Sequence, residues 1–140
     1  MDRFFPNISK IKYEGRDSKN PLSFKHYNPE EVIGGKTMKD HLRFAACYWH
    51  TFCGTGADPV GPGPQQLPWL KSSDPMTVGK DKMEAAFEFF TKIDVPYYCF
   101  HDRDMAPEGS SAQESEDILW SFAEDAKKYQ GQTGLKLLWG

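Results

Sequence analysis

This chain of 140 residues has little cysteine, no long apolar run and no large excess of charge of either sign. Its cysteines Cys47, Cys53 and Cys99 are odd in number and lack the close-pair spacing that is typical of zinc sites. Cys47 and Cys99 lie inside apolar, strand-like runs, which favours small buried side chains over metal ligands or disulfide partners. We therefore expect a reduced protein without a cysteine-held metal.

The charge balance and the apolar pattern exclude two further classes of partner. With 17 Lys and Arg against 20 Asp and Glu, the net charge is −3, and nothing in it favours nucleic acid or an anionic membrane. The longest apolar run is far shorter than the roughly 20 residues that span a bilayer. Residues 1–6 are not followed by the apolar segment of a secretory signal. The sequence predicts a cytoplasmic protein with neither a nucleic-acid nor a membrane partner.

Residues 1–35 are polar and broken by prolines and by the pair Gly34-Gly35, which predicts an irregular N-terminal arm. The arm carries too many aromatic and aliphatic residues for a solvated tail, so we expect it to lie across another surface, of this or of further polypeptide. Residues 34–37 resemble the end of a phosphate-binding loop. Glu30 occupies the position of the opening glycine, however, so that interpretation is rejected.

From residue 36 onwards, apolar strands alternate with amphipathic helices. The predicted strands are residues 43–49, 95–100 and 135–139, and the predicted helices are residues 76–92 and 111–129. Asp74-Pro75 predicts the start of the first helix, and Ser111 with Glu114 forms a capping box for the second. A helix running through the first strand remains an alternative, because periodicity does not distinguish the two in so short a run. The long Gly- and Pro-rich loop 50–69 is typical of a functional or partner-contacting segment.

The order strand, helix, strand, helix, strand indicates an α/β fold with parallel strands and right-handed crossovers. Parallel sheets are covered on both faces or closed into a barrel. Here the sequence ends at Gly140, directly after a strand and without a covering helix. We therefore expect residues 36–140 to be the N-terminal part of an incomplete barrel, preceded by the arm of residues 1–35.

The segment 97–104 holds the strongest functional signal. A short aromatic run ends in His101, with Asp102 and Asp104 close behind it. In parallel α/β folds, chemistry is found just past the carboxyl ends of strands, where a histidine is suited to moving protons near neutral pH. Asp104, three residues on, is placed to fold back and orient the imidazole. A polar cluster that merely marks the end of a strand is the competing interpretation.

The sequence resembles the xylose isomerase family, in its longer class with an N-terminal extension. The resemblance covers essentially the whole chain, and it runs in order through six segments. These are residues 4–6 (FFP), 10–15 (KIKYEG), 35–44 (GKTMKDHLRF), 48–53 (YWHTFC), 96–102 (PYYCFHD) and 135–140 (LKLLWG).

The resemblance implies a TIM barrel, of which this chain supplies the first three strands and the first two crossovers. It implies a sugar isomerase of xylose metabolism that interconverts D-xylose and D-xylulose, and also D-glucose and D-fructose, by ring opening and a metal-assisted hydride shift. His101 would assist ring opening, Asp104 would hold that histidine, and Trp49 and Trp139 would wall the sugar pocket. The complete enzyme would use two divalent cations, Mg, Mn or Co, and would form a homotetramer.

Two departures from the family pattern limit these expectations. The cation ligands of the family lie on later strands, beyond residue 140, so this chain alone would be inactive and would require the remaining barrel polypeptide. In the long loop, Asp58-Pro59 is followed by Val60, where the family has a phenylalanine that reaches into a neighbouring subunit. Two alternatives remain open: an inactive truncated fragment that acts only as an association partner, and a related sugar epimerase.

Overall fold

The computed structural model describes residues 2–57, 59–61 and 63–140. In chain order the elements are β1 (Val32–Ile33), β2 (Lys36–Thr37), α1 (Met38–His41), β3 (Ala45–Cys47), α2 (Pro75–Lys92), β4 (Tyr97–Cys99), α3 (Asp102–Met105), α4 (Ala112–Thr133) and β5 (Lys136–Trp139). A π-helical turn covers Trp49–Cys53, and a 3-10 turn covers Pro68–Leu70. None of the helices in these ranges combines the length and apolar character needed to cross a membrane.

Strands β3, β4 and β5 form a parallel sheet in that order, which confirms the predicted α/β class. Closure of this sheet into a barrel stays a prediction. The first strand is shorter than predicted: it covers only Ala45–Cys47, because the chain turns into helical backbone at Tyr48 (φ −73°, ψ −44°). The second strand is likewise shortened to Tyr97–Cys99.

Local capping explains where the two long helices begin. The Asp74 carboxylate accepts hydrogen bonds from the backbone N–H groups of Met76 (3.3 Å) and Thr77 (3.0 Å), so α2 begins as predicted. The Ser111 hydroxyl accepts from the N–H of Glu114 at 3.1 Å, which caps α4.

The second long helix is longer than the predicted range 111–129. Helix α4 continues past Tyr129 and Gly131 to Thr133. It ends at Gly134, whose φ of 76° lies in the left-handed region that favours glycine.

Two short elements were not predicted from the sequence. A two-stranded hairpin joins β1 to β2 through Gly34 and Gly35, both at positive φ (59° and 82°). The hairpin straddles the predicted boundary at residue 35, and the division into arm and barrel part stays a prediction. One turn of helix, α3, follows His101 directly.

The hydrophobic core lies between one face of the parallel sheet and helices α2 and α4. The predicted apolar stripe of α2 is confirmed, since Met83, Ala86, Phe87 and Phe90 are all buried. The two helices approach closely at Gly79, where an added Cβ would lie 2.5 Å from the ring of Phe122. No helix of the described residues covers the opposite face of the sheet, and Leu138 and Trp139 on the edge strand β5 are exposed.

The first residues of the arm dock onto α2. The fully buried Glu88 carboxylate accepts hydrogen bonds from the backbone N–H groups of Arg3 (3.1 Å), Phe4 (2.9 Å) and Phe5 (2.9 Å). The Lys92 ammonium lies 3.1 Å from the same carboxylate and donates to the Phe5 carbonyl at 2.6 Å. An internal charge pair therefore anchors the first residues of the chain.

Candidate active site

Three aromatic rings meet past the carboxyl ends of the parallel strands. The Trp49 ring lies 4.5 Å from the His101 ring and 5.4 Å from the Trp139 ring, measured between centroids, and His101 and Trp139 are also 5.4 Å apart. Each ring comes from a different strand end: Trp49 shortly after β3, His101 after β4, and Trp139 as the last residue of β5. The fold thus brings together three side chains that are far apart in sequence.

Strand alternation explains why His101 points to the open side of the sheet. Tyr98 and Phe100 contribute to the core on the helix side, where their rings stack 6.2 Å apart. Cys99 and His101, at the alternate positions, face the other way. The strand therefore places a polar ring on the side without covering helices.

An irregularity in β5 turns Trp139 to the same side. Tyr98 pairs with Leu137, but Cys99 pairs with Trp139, so β5 contains one extra residue, Leu138. In an uninterrupted register Leu138 would pair with Cys99. Trp139 would then pair with Phe100, and its side chain would lie on the helix side. The bulge places Trp139 beside His101 instead, and such re-aiming of a side chain is a common role of bulges near active sites.

The predicted contact between His101 and Asp104 is confirmed. The Nδ1 atom of His101 lies 2.8 Å from Oδ2 of Asp104, and the same oxygen accepts from the His101 backbone N–H at 3.1 Å. Because an ionised carboxylate only accepts, this contact assigns the proton to Nδ1 and leaves Nε2 as the acceptor of the neutral imidazole. The Asp104 side chain is largely buried whereas His101 is exposed. The catalytic role of the pair stays a prediction.

Trp49 and Trp139 lie together with His101 and are not among the residues of the hydrophobic core. Trp49 is half-buried and Trp139 is exposed. Their proposed stacking on a sugar stays a prediction. Of the loop residues, Val60 is almost fully exposed, and Asp58 lies outside the described residues.

The cysteines are all reduced, and a metal-binding cluster is not found where the structure describes the chain. Cys99 is buried as predicted, whereas Cys47 and Cys53 are only half-buried. Burial raises the pKa of the Cys99 thiol. Across residues 2–57, 59–61 and 63–140, no three His, Cys, Asp or Glu side chains are grouped so that they could hold a cation. The described residues do not fit the two cations that the family resemblance implies.

Two supporting residues were missed by sequence reasoning. Trp69 donates its indole N–H to the carbonyl of Phe52, inside the turn that carries Trp49. Glu88 anchors the arm. A carboxylate set between Phe87 and Phe89 in an apolar helix face was a usable signal for Glu88, since buried charges are normally paired. The loop sequence contains no comparable signal that would have identified Trp69 as a supporting residue.

A separate cavity of about 690 Å³ lies at the other end of the sheet, between the arm and the amino ends of β3 and β4. Lys10, Tyr13, Tyr27, Arg43 and Tyr97 are among its lining residues. It shares no residue with the cluster around His101.

Several proteins named xylose isomerase are similar to this chain over nearly its whole length. The chain is 52% identical to the xylose isomerase of Pseudoalteromonas atlantica over 140 residues, which is 100% of this chain and 32% of that protein. It is 53% identical to the xylose isomerase of Caldanaerobacter subterraneus subsp. yonseiensis over 137 residues, covering 98% of this chain and 31% of the relative. The xylose isomerase of Thermoanaerobacterium saccharolyticum is 53% identical over 140 residues. No family model matches the sequence. The chain spans about a third of the length of these relatives.

Proposed function

Because the chain corresponds over its whole length to an N-terminal portion of the xylose isomerase family, we propose that it supplies the ring-opening part of an aldose–ketose isomerase. The substrates would be D-xylose and D-xylulose, with D-glucose and D-fructose as further substrates. The single observation that supports this proposal most is the contact of His101 with Asp104, next to the Trp49 and Trp139 rings.

The proposed chemistry of this chain is a proton transfer at His101. With its proton held on Nδ1 by Asp104, the imidazole presents Nε2 to the cyclic sugar. There Nε2 accepts the proton of the anomeric hydroxyl and returns a proton to the ring oxygen, which opens the ring. Asp104 keeps the imidazole in one tautomer and orientation.

The tryptophans have a binding role in this proposal. Trp49 and Trp139 offer flat apolar surfaces next to His101, suited to the C–H faces of a sugar. Their rings would also exclude water from the reacting carbons, which limits side reactions of the open-chain form. Two divalent cations, Mg, Mn or Co, would stabilise negative charge on the open-chain oxygens in the complete enzyme, with ligands beyond residue 140.

Completion of the sheet is part of the same proposal. The open face next to β5 requires further barrel polypeptide, and the complete protein is proposed to be a cytoplasmic homotetramer. The exposed apolar residues of this face also favour the alternative of a fragment that acts only by association. A sugar epimerase remains the other alternative.

A chimaera tests the function directly. Residues 1–140 of this chain would replace the matching segment of the Thermoanaerobacterium saccharolyticum xylose isomerase, to which they are 53% identical. We expect conversion of D-xylose to D-xylulose, measured by chromatography of the products. An epimer of D-xylose as the main product would favour the epimerase, and a folded but inactive chimaera would favour the association partner.

His101→Ala in the active chimaera tests the assigned role. We expect turnover of the cyclic sugar to fall about 10²- to 10⁴-fold, the usual contribution of general acid–base catalysis, with a smaller loss for sugar supplied in open-chain form. The matched control is His26→Ala, an exposed histidine of the arm, which should leave turnover unchanged. Equal losses on the cyclic and open-chain forms would contradict a ring-opening role.

A further inference from the structure

Trp69 connects the long loop to the turn that carries Trp49. It lies in the 3-10 turn Pro68–Leu70 and is almost completely buried. Its indole Nε1–H donates a buried hydrogen bond of 2.9 Å to the backbone carbonyl of Phe52. Phe52 belongs to the π-helical turn that begins at Trp49.

The π-helical turn has a carbonyl that needs this partner. The turn closes with the Gly54 N–H donating to the Trp49 carbonyl at 3.2 Å, and it ends after Cys53. A helix end leaves its last carbonyls without partners inside the helix, and a buried carbonyl without a donor is costly. Because the indole N–H is aimed at the Phe52 carbonyl, Trp69 caps the turn from outside.

Aromatic packing holds the Trp69 ring in place from both sides. Its centroid lies 5.5 Å from the Phe52 ring and 5.9 Å from each of the Phe4 and Phe5 rings. The backbone N–H groups of Phe4 and Phe5 are in turn bound by the buried Glu88. The donor is thus fixed by the core on one side and by the anchored arm on the other.

We propose that Trp69 is a positioning residue for Trp49. By capping the π-helical turn, its N–H sets the backbone from which the Trp49 ring projects against His101 and Trp139. Trp69 itself is not in the ring cluster, so it acts through the turn. The effect on sugar binding rests on the proposed function, whereas the effect on the ring cluster does not.

The effect on the ring cluster is measured by NMR in the 140-residue chain. Trp69→Phe keeps an aromatic ring against Phe4, Phe5 and Phe52 but removes the N–H. We expect the His101 imidazole proton shifts to change, because the neighbouring Trp49 ring moves. The matched control, Trp120→Phe, removes an exposed tryptophan from the outer face of α4 and should leave these shifts unchanged. Unchanged His101 shifts in Trp69→Phe would overturn the proposal.

The effect on binding is measured in the active chimaera. Because one buried carbonyl loses its donor, we expect KM for D-xylose to rise about 3- to 30-fold in Trp69→Phe, with kcat changing much less. A merely structural role would lower the melting temperature and leave KM as it is, and that result overturns the proposal. An inactive parent chimaera would count against the proposed function, while the NMR shifts would still decide the role of Trp69.

A second replacement separates the hydrogen bond from the packing, because phenylalanine is smaller than tryptophan and leaves a gap at position 69. Benzothienylalanine in place of Trp69 keeps the shape of the indole and replaces its N–H by sulfur. The same change in the His101 shifts is expected with the packing intact. If this isosteric replacement leaves the shifts at their original values, the hydrogen bond has no positioning role.

Discussion

The two faces of the parallel sheet differ sharply. On the helix side, Tyr98 is buried among aromatic residues of α2 and its hydroxyl accepts a hydrogen bond from Gln130 at 2.8 Å. On the other side and along the edge of β5, His101, Leu138 and Trp139 are exposed. The same three strands therefore support a closed core on one face and the candidate site on the other.

The difference shows which face stabilises this chain and which face is left for the candidate site. The helix side supplies the folding energy, since burial of aromatic and aliphatic surface is the main favourable term. The open side contributes little to stability and carries the candidate site. We therefore expect substitutions on the two faces to affect different measurements.

The largest effect is expected for Phe90→Ala, on the closed side. Phe90 is fully buried and contacts the rings of Tyr48, Phe52 and Tyr98. Truncation should lower the free energy of unfolding by about 3–5 kcal/mol, which is a large part of the stability of a small domain. Urea denaturation measures it, with Trp120→Ala as the control that should stay within about 0.5 kcal/mol of the parent. Similar losses in both variants would contradict the assignment of the core.

A smaller, pH-dependent effect is expected at the arm anchor. Burial alone raises the pKa of Glu88, but the N–H groups of Phe4 and Phe5 and the Lys92 ammonium outweigh it, so the pKa lies below its ordinary value of 4.5. Asp2, which contacts Lys92 at 2.8 Å, belongs to the same charge cluster. The stabilisation is therefore fully present above pH 4.5 and is lost as the pH falls through the lower folded pKa.

The substitution Glu88→Gln tests the contribution of this carboxylate to stability and to its pH dependence. We expect the free energy of unfolding at neutral pH to fall by about 1–3 kcal/mol, because buried donors lose their charged acceptor. Its decrease below pH 4.5 should also become shallower. The control is Glu84→Gln on the same helix, whose surface ion pair with Arg3 should contribute less than about 1 kcal/mol. If the free energy of unfolding of Glu88→Gln decreases below pH 4.5 as steeply as that of the parent, other carboxylates cause the decrease.

On the open side, substitution should change association more than stability. Leu138 is 55% exposed on β5, where an apolar edge favours pairing with another chain. Leu138→Lys should weaken self-association of the 140-residue chain in sedimentation velocity, with the urea midpoint unchanged. Leu22→Lys in the arm, at 49% exposure, is the matched control and should leave association as it is. If the parent is a compact monomer of 16.0 kDa, the open face needs no partner.

The smallest effect is expected from divalent ions. Added magnesium or manganese should leave the melting temperature of this chain unchanged, because metal binding stabilises a fold only through ligands that the folded state holds in place. In the active chimaera the same ions should raise the melting temperature. A metal-dependent rise in the 140-residue chain itself would place a cation site within these residues.

Features that depend on near neighbours could be predicted from the sequence. The caps at Asp74 and Ser111 and the stripe of α2 follow from spacings of three and four residues along one helix. The contact of His101 with Asp104 is equally local, since three residues separate them across one turn. These parts of the fold and of the candidate site were predicted because their partners lie within a few positions of each other.

Features that depend on distant neighbours could not be predicted in this way. The first strand ends early because Tyr48 turns into the helix-side core, and that packing involves Phe90 and Phe100. The extra residue Leu138 in β5 has no signature in an apolar run. The shape of the site therefore depends on contacts that no local pattern encodes.

The sequence by itself determined the alternation of strands and helices, the helix starts and the contact of His101 with Asp104, because each depends on a short stretch of chain. Only the tertiary structure decided that Trp49, His101 and Trp139 meet, that Trp69 caps the π-helical turn and that Glu88 holds the arm. Those contacts join segments 17 to 85 residues apart in the chain for Trp69 and Glu88. Their geometry is set by packing in three dimensions, where a bulge of one residue reverses the side on which a ring lies.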